Sequence, residues 1–129
     1  MRSRFAAFAL GLGDYLVKTL SRDHEDRGIP ATELARAFGR AKETQRFLGL
    51  QVLASREEGD TGEVLFHARI FERGRDRGFA ELSDFVREGS AWRYAGGRLV
   101  PGARLPVDVA GLTRDAFLAL VDGGGGPIT

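Results

Sequence analysis

The sequence predicts an α+β domain in which N-terminal helices pack inside a curved antiparallel sheet of about four strands, enclosing a cone. Three observations carry that reading. Apolar residues recur at helical spacing up to about residue 41 and at alternating spacing after it. Short breaks bearing Gly, Asp or Ser separate the alternating runs at hairpin distances. The chain has 129 residues, 43% hydrophobic and 29% charged, which is the size and composition of one ordinary globular domain.

Phe5, Phe8, Ala9, Leu12, Tyr15, Leu16 and Leu20 fall at i, i+3, i+4 and i+7 and mark one apolar helical face. Gly11 and Gly13 interrupt it, and each costs a helix interior about 1 kcal/mol, so two helices with a bend at 11–13 are expected. Asp14 then suits the positive end of the second helix. Residues 21–29 are polar and aperiodic and read as a loop. Pro30 opens a helix to Ala41, with Leu34, Ala37 and Phe38 on one face.

Strands follow at Phe47–Ser55, Glu63–Arg73, Phe79–Glu88 and Ala91–Ala95, joined by turns at Glu57–Gly62, Gly74–Gly78 and Gly89-Ser90. Successive hairpins imply a meander. Residues 96–111, punctuated by Gly and Pro, are expected to wrap the surface. Thr113 caps a short helix to Val121 that buries Phe117, Leu118 and Val121. The expected organisation is one domain over 1–122, with its core in 1–97 and a C-terminal wrap and helix in 98–122; 123–129 form a flexible Gly-rich tail.

Nineteen Lys and Arg against 18 Asp and Glu leave a formal charge of +1, which weighs against nucleic acid or an acidic membrane as partner. With no cysteine, disulfides, thiol nucleophiles and Cys-ligated metals are excluded. No apolar run approaches the ~20 residues of a membrane span. Residues 1–10 carry two arginines before an apolar stretch, but no small-residue cleavage pattern follows, so a cytoplasmic protein is expected.

Chemical motifs are sparse. His24, in Asp23-His24-Glu25-Asp26, reads as part of a solvated loop, and His67 as an ordinary sheet-face residue; no metal site is expected. Gly11-Leu12-Gly13 follows a helix and lacks the third glycine of a dinucleotide fingerprint, and no cofactor is expected. Ser83 and Ser90 lie in no nucleophile elbow. Arg73, Arg75 and Arg77 at a hairpin tip could meet phosphates, yet interleaved acids favour a solvated turn.

The Phe79–Glu88 strand is the most informative. Alternation puts Phe79, Glu81, Ser83 and Phe85 on one face. If that face is inward, Glu81 is a buried carboxylate that needs a cation or several donors, and Arg2 or Arg4 is the expected partner. The structural reading is an Arg–Glu clamp between helix and sheet. The functional one is a polar spot at the base of an apolar pocket, with Tyr15, Ser83, Trp92 and Tyr94 around it. A one-residue slip would instead turn His67 and Arg69 inward.

Several blocks, in order, resemble the YchJ-type bacterial proteins: Met-Arg-Ser-Arg-Phe-Ala-Ala-Phe at 1–8, Asp14-Tyr15-Leu16 with Thr19, and Leu48-Gly49-Leu50. Gly62 to Arg69, Glu81-x-Ser83-x-Phe85, and Trp92-x-Tyr94 with Gly96 complete the set, over residues 1 to about 97. The resemblance implies an NTF2-like, cystatin-type cone. It names no reaction. In that family the domain usually sits beside cysteine-rich, zinc-binding SEC-C motifs, which a chain without cysteine does not carry. Leu20-Ser21-Arg22-Asp23 replaces the family's Trp-His-Pro-Ser, Phe47 its Trp, and Leu82 and Asp84 its two arginines. The family's first block usually lies inside the protein, so Met1 reads as a late start codon or the chain as a reduced member.

The expected function is a non-catalytic ligand- or partner-binding or scaffold domain, forming a dimer through its sheet if it self-associates. Its binding residues would be Arg2, Arg4, Tyr15, Glu81, Ser83, Trp92 and Tyr94. The alternative is a small isomerase, dehydratase or hydrolase with Glu81 as base and Tyr15 or Tyr94 as hydrogen-bond donor.

Overall fold

A computed structural model describes residues 1–123, apart from the side chains of Arg2 and Gly123. The chain runs through helices α1 (Arg2–Leu10), α2 (Gly13–Lys18), α3 (Ala31–Gly39) and α4 (Ala41–Thr44) before its sheet. The bend expected at 11–13 is present, and Gly11 makes it: at φ 73° it takes the left-handed cap position while Leu12 N–H reaches back to Ala7 O at 2.8 Å. The expected loop holds a 3-10 turn at Glu25–Gly28, and the expected third helix divides at Arg40.

The sheet comprises β1 (Gln45–Glu58), β2 (Thr61–Glu72), the two-residue β3 (Arg75–Asp76), β4 (Phe79–Glu88) and β5 (Ala91–Pro101). Its order is β1-β2-β4-β5, antiparallel throughout, with β3 paired to β2. Bulges in β1 and at Asp84/Phe85 curve it. The α+β expectation therefore holds, although the first two strands run into tighter turns than expected.

One correction concerns β5. It continues to Pro101, so residues 96–101 belong to the sheet rather than to a surface wrap. Gly96 and Gly97 read locally as breakers, yet Gly97 pairs with Ser83 in the β4–β5 ladder. A Cβ at Gly97 would lie 2.7 Å from Glu81 Oε2, so the missing side chain makes room for that carboxylate.

Alternation along the strands builds two cores. On the concave face Phe66, Ala68 and Ile70 pack with Phe5, Phe47 and Phe79. On the convex face Leu65, Ala80, Leu82 and Val100 pack with Leu112 and Phe117, which α5 (Arg114–Gly123) and its approach supply. Phe117 is buried as expected, with Leu118 and Val121 partly buried beside it. Thr113 Oγ1 accepts from Ala116 N at 3.1 Å, the expected cap. Arg114 pins the helix to the sheet, donating to both Glu63 oxygens at 2.7 and 3.2 Å. Residues 124–129, most of the expected tail, lie outside the described residues. Among the described residues no helix is long and apolar enough to cross a membrane.

Gly13 distinguishes local from tertiary control. Helix propensity says that Gly13→Ala should stabilise α2 by up to about 1 kcal/mol. The added Cβ, however, would fall 1.9 Å from the backbone oxygen of Ala35 in α3. The expected result is a net loss of about 1–3 kcal/mol in chemical denaturation, the cost of overpacking a contact between backbones.

Candidate functional site

Helix α1 and the 21–29 segment close over the concave face of the sheet and leave a cavity of ≈ 340 Å³. Its walls are aromatic and aliphatic, among them Phe5, Phe8, Phe47, Phe66 and Phe79. Arg4, His24, Glu25, Asp26, Glu81 and Tyr94 supply its polar lining. The volume falls in the range of small-ligand pockets, and an apolar wall with a few convergent polar groups is their usual make-up.

The Glu81 face of β4 is the one turned inward, because Glu81 pairs with Phe66 and Phe79 with Ala68, both concave-face residues. Tyr94 Oη donates to Glu81 Oε2 at 2.9 Å, and Ser83 Oγ donates to the same oxygen. Ser83 reaches it because residues i and i+2 of a strand share a face. Tyr94 is tied to the helices through its backbone as well: its N–H donates to Thr19 O at 2.7 Å, and its carbonyl accepts from Ser21 N at 2.8 Å.

Arg4 is buried and does not form the expected direct clamp on Glu81. Its Nη1 donates to Leu16 O at 2.9 Å and to Thr19 Oγ1, near the C-terminal end of α2. Carbonyls there lie at the negative end of the dipole, so Leu16 O attracts a guanidinium. The Arg4 guanidinium carbon sits 4.7 Å from the centre of the Tyr94 ring. Arg4 and Glu81 thus share Tyr94 as a neighbour, the guanidinium over its ring and the carboxylate at its hydroxyl. Arg4 Nε is buried without a hydrogen-bond partner among the described residues.

The other expected residues separate. Tyr15 is a correction: one helical step from buried Leu16, it points outward and donates to Ser3 Oγ at 2.7 Å. Trp92 lies beneath Arg87, 4.7 Å from its ring centre, in a separate depression of ≈ 190 Å³ shared with Val64 and Phe85. The Arg2 side chain is outside the described residues. His67 and Arg69 lie on the convex side, so the slipped register is not the one adopted.

His24 was not expected at the site. Its ring centre is 5.8 Å from that of Tyr94, and its Nδ1 accepts from Asp26 N at 3.0 Å. No local signal marks it, since the sequence around it is that of a solvated loop. Arg27 and Gly97 also belong to this region, and sequence spacing does not place them there. Arg27 Nη2 donates to Leu20 O at 2.7 Å and holds the segment that carries His24. Among the described residues no three His, Cys, Asp or Glu side chains gather to hold a metal ion.

Burial governs the electrostatics. It pushes the Glu81 carboxyl above its ordinary value, with the Ser83 and Tyr94 hydrogen bonds and then Arg4 opposing. Burial, then Glu81, raises Tyr94, which therefore keeps its proton and remains a donor. Burial also pulls the Arg4 guanidinium down against the pull of Tyr94 and Glu81. The pocket floor thus holds a protonated phenol and a carboxyl raised by burial, beside a cation.

Helices closing the concave side of a curved antiparallel sheet, with polar groups on its floor, define the NTF2-like and cystatin-like class of α+β cones. Residues 1–97 match the family model described as YchJ, middle NTF2-like domain, and the chain belongs to that family. It is 38% identical over 109 residues to a UPF0225 protein of Sodalis glossinidius, spanning 82% of this chain and 69% of that protein. A UPF0225 protein of Bordetella pertussis is 38% identical over 98 residues, 75% of this chain and 67% of that one. Among solved structures, a SEC-C motif containing protein from Rhodopseudomonas palustris aligns with a TM-score of 0.65 at 37% identity, covering 78% of this chain and 75% of that one. A domain of unknown function with a cystatin-like fold from Nostoc punctiforme aligns at 0.59 and 17% identity over 95% of this chain and 88% of that one, a likeness of fold alone.

The Glu81 shift has a signed consequence. A carboxyl raised in the folded state binds more protons there than in the unfolded chain, so its contribution is full below the ordinary value of 4.5 and is lost as pH rises through the folded value. Glu81→Gln removes that loss. The melting temperature of the variant minus that of the parent should therefore increase from about pH 4 to pH 8. A constant difference would mean that Glu81 titrates as a solvated carboxylate.

Proposed function

We propose that this chain is a cytoplasmic, non-catalytic binding domain whose concave cavity takes a small molecule with an apolar body and one uncharged hydrogen-bonding end. The observation that carries the reading is the ≈ 340 Å³ cavity in which aromatic walls converge on Glu81 and Tyr94. Desolvation there penalises a second charge, so a hydroxyl or carbonyl suits the floor better than an ion. Both hydroxyls on the floor donate to one Glu81 oxygen, and Tyr94 is anchored through its own backbone. These groups hold helix to sheet, a structural role that weighs against their moving during a reaction.

One observation favours the alternative, an acid–base enzyme: a carboxyl raised by burial and facing a cavity is a stronger proton acceptor than a solvated one. The two readings part on Glu81. With phenol as a probe, amide shifts at Phe66, Phe79 and Tyr94 in a heteronuclear NMR titration should report binding in the cavity. Ile70→Trp, which fills the wall, should abolish those shifts. Glu81→Gln should lower stability and leave phenol affinity within about threefold, less than the ~1.4 kcal/mol of a tenfold change. Shifts that Ile70→Trp leaves intact would overturn the cavity as the site.

A further inference from the structure

We propose that the groove between the α4–β1 junction and the β2–β3 hairpin binds single-stranded nucleic acid, with phosphates on Lys42, Arg46 and Arg73 and a base stacked on Phe71. The groove is separate from the concave cavity, measures ≈ 750 Å³, and is lined by those four side chains together with Leu48 and Glu43. Sequence spacing alone showed only three hairpin arginines among acids. The fold adds Lys42 and Arg46, about thirty residues earlier in the chain, to the same surface.

Net charge understates this end of the molecule. Segments 40–49 and 69–77 carry seven Arg or Lys against three acids, so the formal +1 of the whole chain does not describe this end. Lys42, Arg46, Arg69, Arg73, Arg75 and Arg77 are exposed, and none forms an ion pair among the described residues. The nearby acids have other contacts: Glu72 accepts from Gln45 Nε2 at 3.2 Å, and Asp76 Oδ1 accepts from Gly78 N at 2.8 Å.

The ring decides which anionic partner fits. Phe71 is directly cross-strand from Arg46, two residues from Arg69, and half-exposed in the groove that Arg73 closes. A ring set among cations matches bases and phosphates of a single strand; an acidic peptide would use the cations and leave the ring idle. Arg73 also takes φ 52° at the hairpin tip, next to Gly74 at φ 76°, a turn that Asn-Gly would adopt with less strain. The chain keeps a cation where the backbone favours a smaller residue.

The test is fluorescence anisotropy of the full chain with a labelled oligouridylate of about 12 nucleotides, between about 50 and 200 mM salt. The combined variant Lys42→Gln, Arg46→Gln, Arg73→Asn should flatten the slope of log affinity against log salt by about 2, near 0.7 per lost phosphate contact. Phe71→Leu should weaken binding at fixed salt by about fivefold or more and leave the slope unchanged. A charge-matched set at the far end, Arg22→Gln, Arg87→Gln, Arg93→Gln, should change neither. Three results would overturn the proposal: no binding by the parent at the lower salt, equal losses in the far-end set, or displacement by oligoglutamate with no effect of Phe71→Leu. Circular dichroism of each variant separates a lost contact from a lost fold, and the combined charge variant touches only exposed side chains.

Discussion

The structure depends on how Tyr94 joins its helical and sheet halves. Its backbone accepts and donates across the gap between β5 and the end of α2, its ring lies under the Arg4 guanidinium, and its hydroxyl donates to the Glu81 carboxyl. Without that junction α2 would be a six-residue helix, far below the length at which a helix persists on its own. Arg4 strengthens it by donating to Leu16 O and to the Thr19 hydroxyl near the end of the short helix. The same contacts form the floor of the cavity, so the cavity exists because two layers must be joined around a buried carboxyl. Buried polar groups of this kind are costly unless each has a partner, which restricts what can change there.

A second constraint comes from the convex face. A curved sheet with one face packed on helices leaves its other apolar face to be covered, and α5 covers it. The Arg114–Glu63 pair sets the helix in place, with Arg56 and Arg98 at 3.5 and 3.7 Å from the same carboxylate. These contacts gather at the end of the sheet opposite the hairpin arginines. Acids and arginines are thus paired at that end, whereas the hairpin arginines form no ion pair among the described residues.

Much of the site was legible before folding was considered. Alternation along β4 places Glu81 and Ser83 together on a face with Phe79, and the ordered blocks that mark the family contain Arg4, Thr19, Glu81, Ser83 and Tyr94. The arrangement of these residues was not legible. Pairing a carboxylate with the nearest available arginine is a sound local inference, yet Leu16 O and the Thr19 hydroxyl compete for the same guanidinium and take it. His24 escaped notice because burial of a polar loop depends on what lies above it, here the Tyr94 ring. Gly97 read as a breaker because its role is to leave space, and space is defined only by a neighbouring strand.

The sequence by itself determined the class of fold, the bend near Gly11 and the helix capped by Thr113; which face of β4 turns inward was left to the strand pairing. These follow from residue spacing and backbone preference, which are local. Tertiary structure alone decided that β5 continues through two glycines, that Tyr15 faces outward, that Arg4 and Glu81 share Tyr94 as a neighbour, and that Lys42, Arg46 and Phe71 share a groove with Arg73. Each of these sets one segment against another that is distant along the chain. Competition among partners for a donor, a carbonyl or a volume is settled only when all of them are in place.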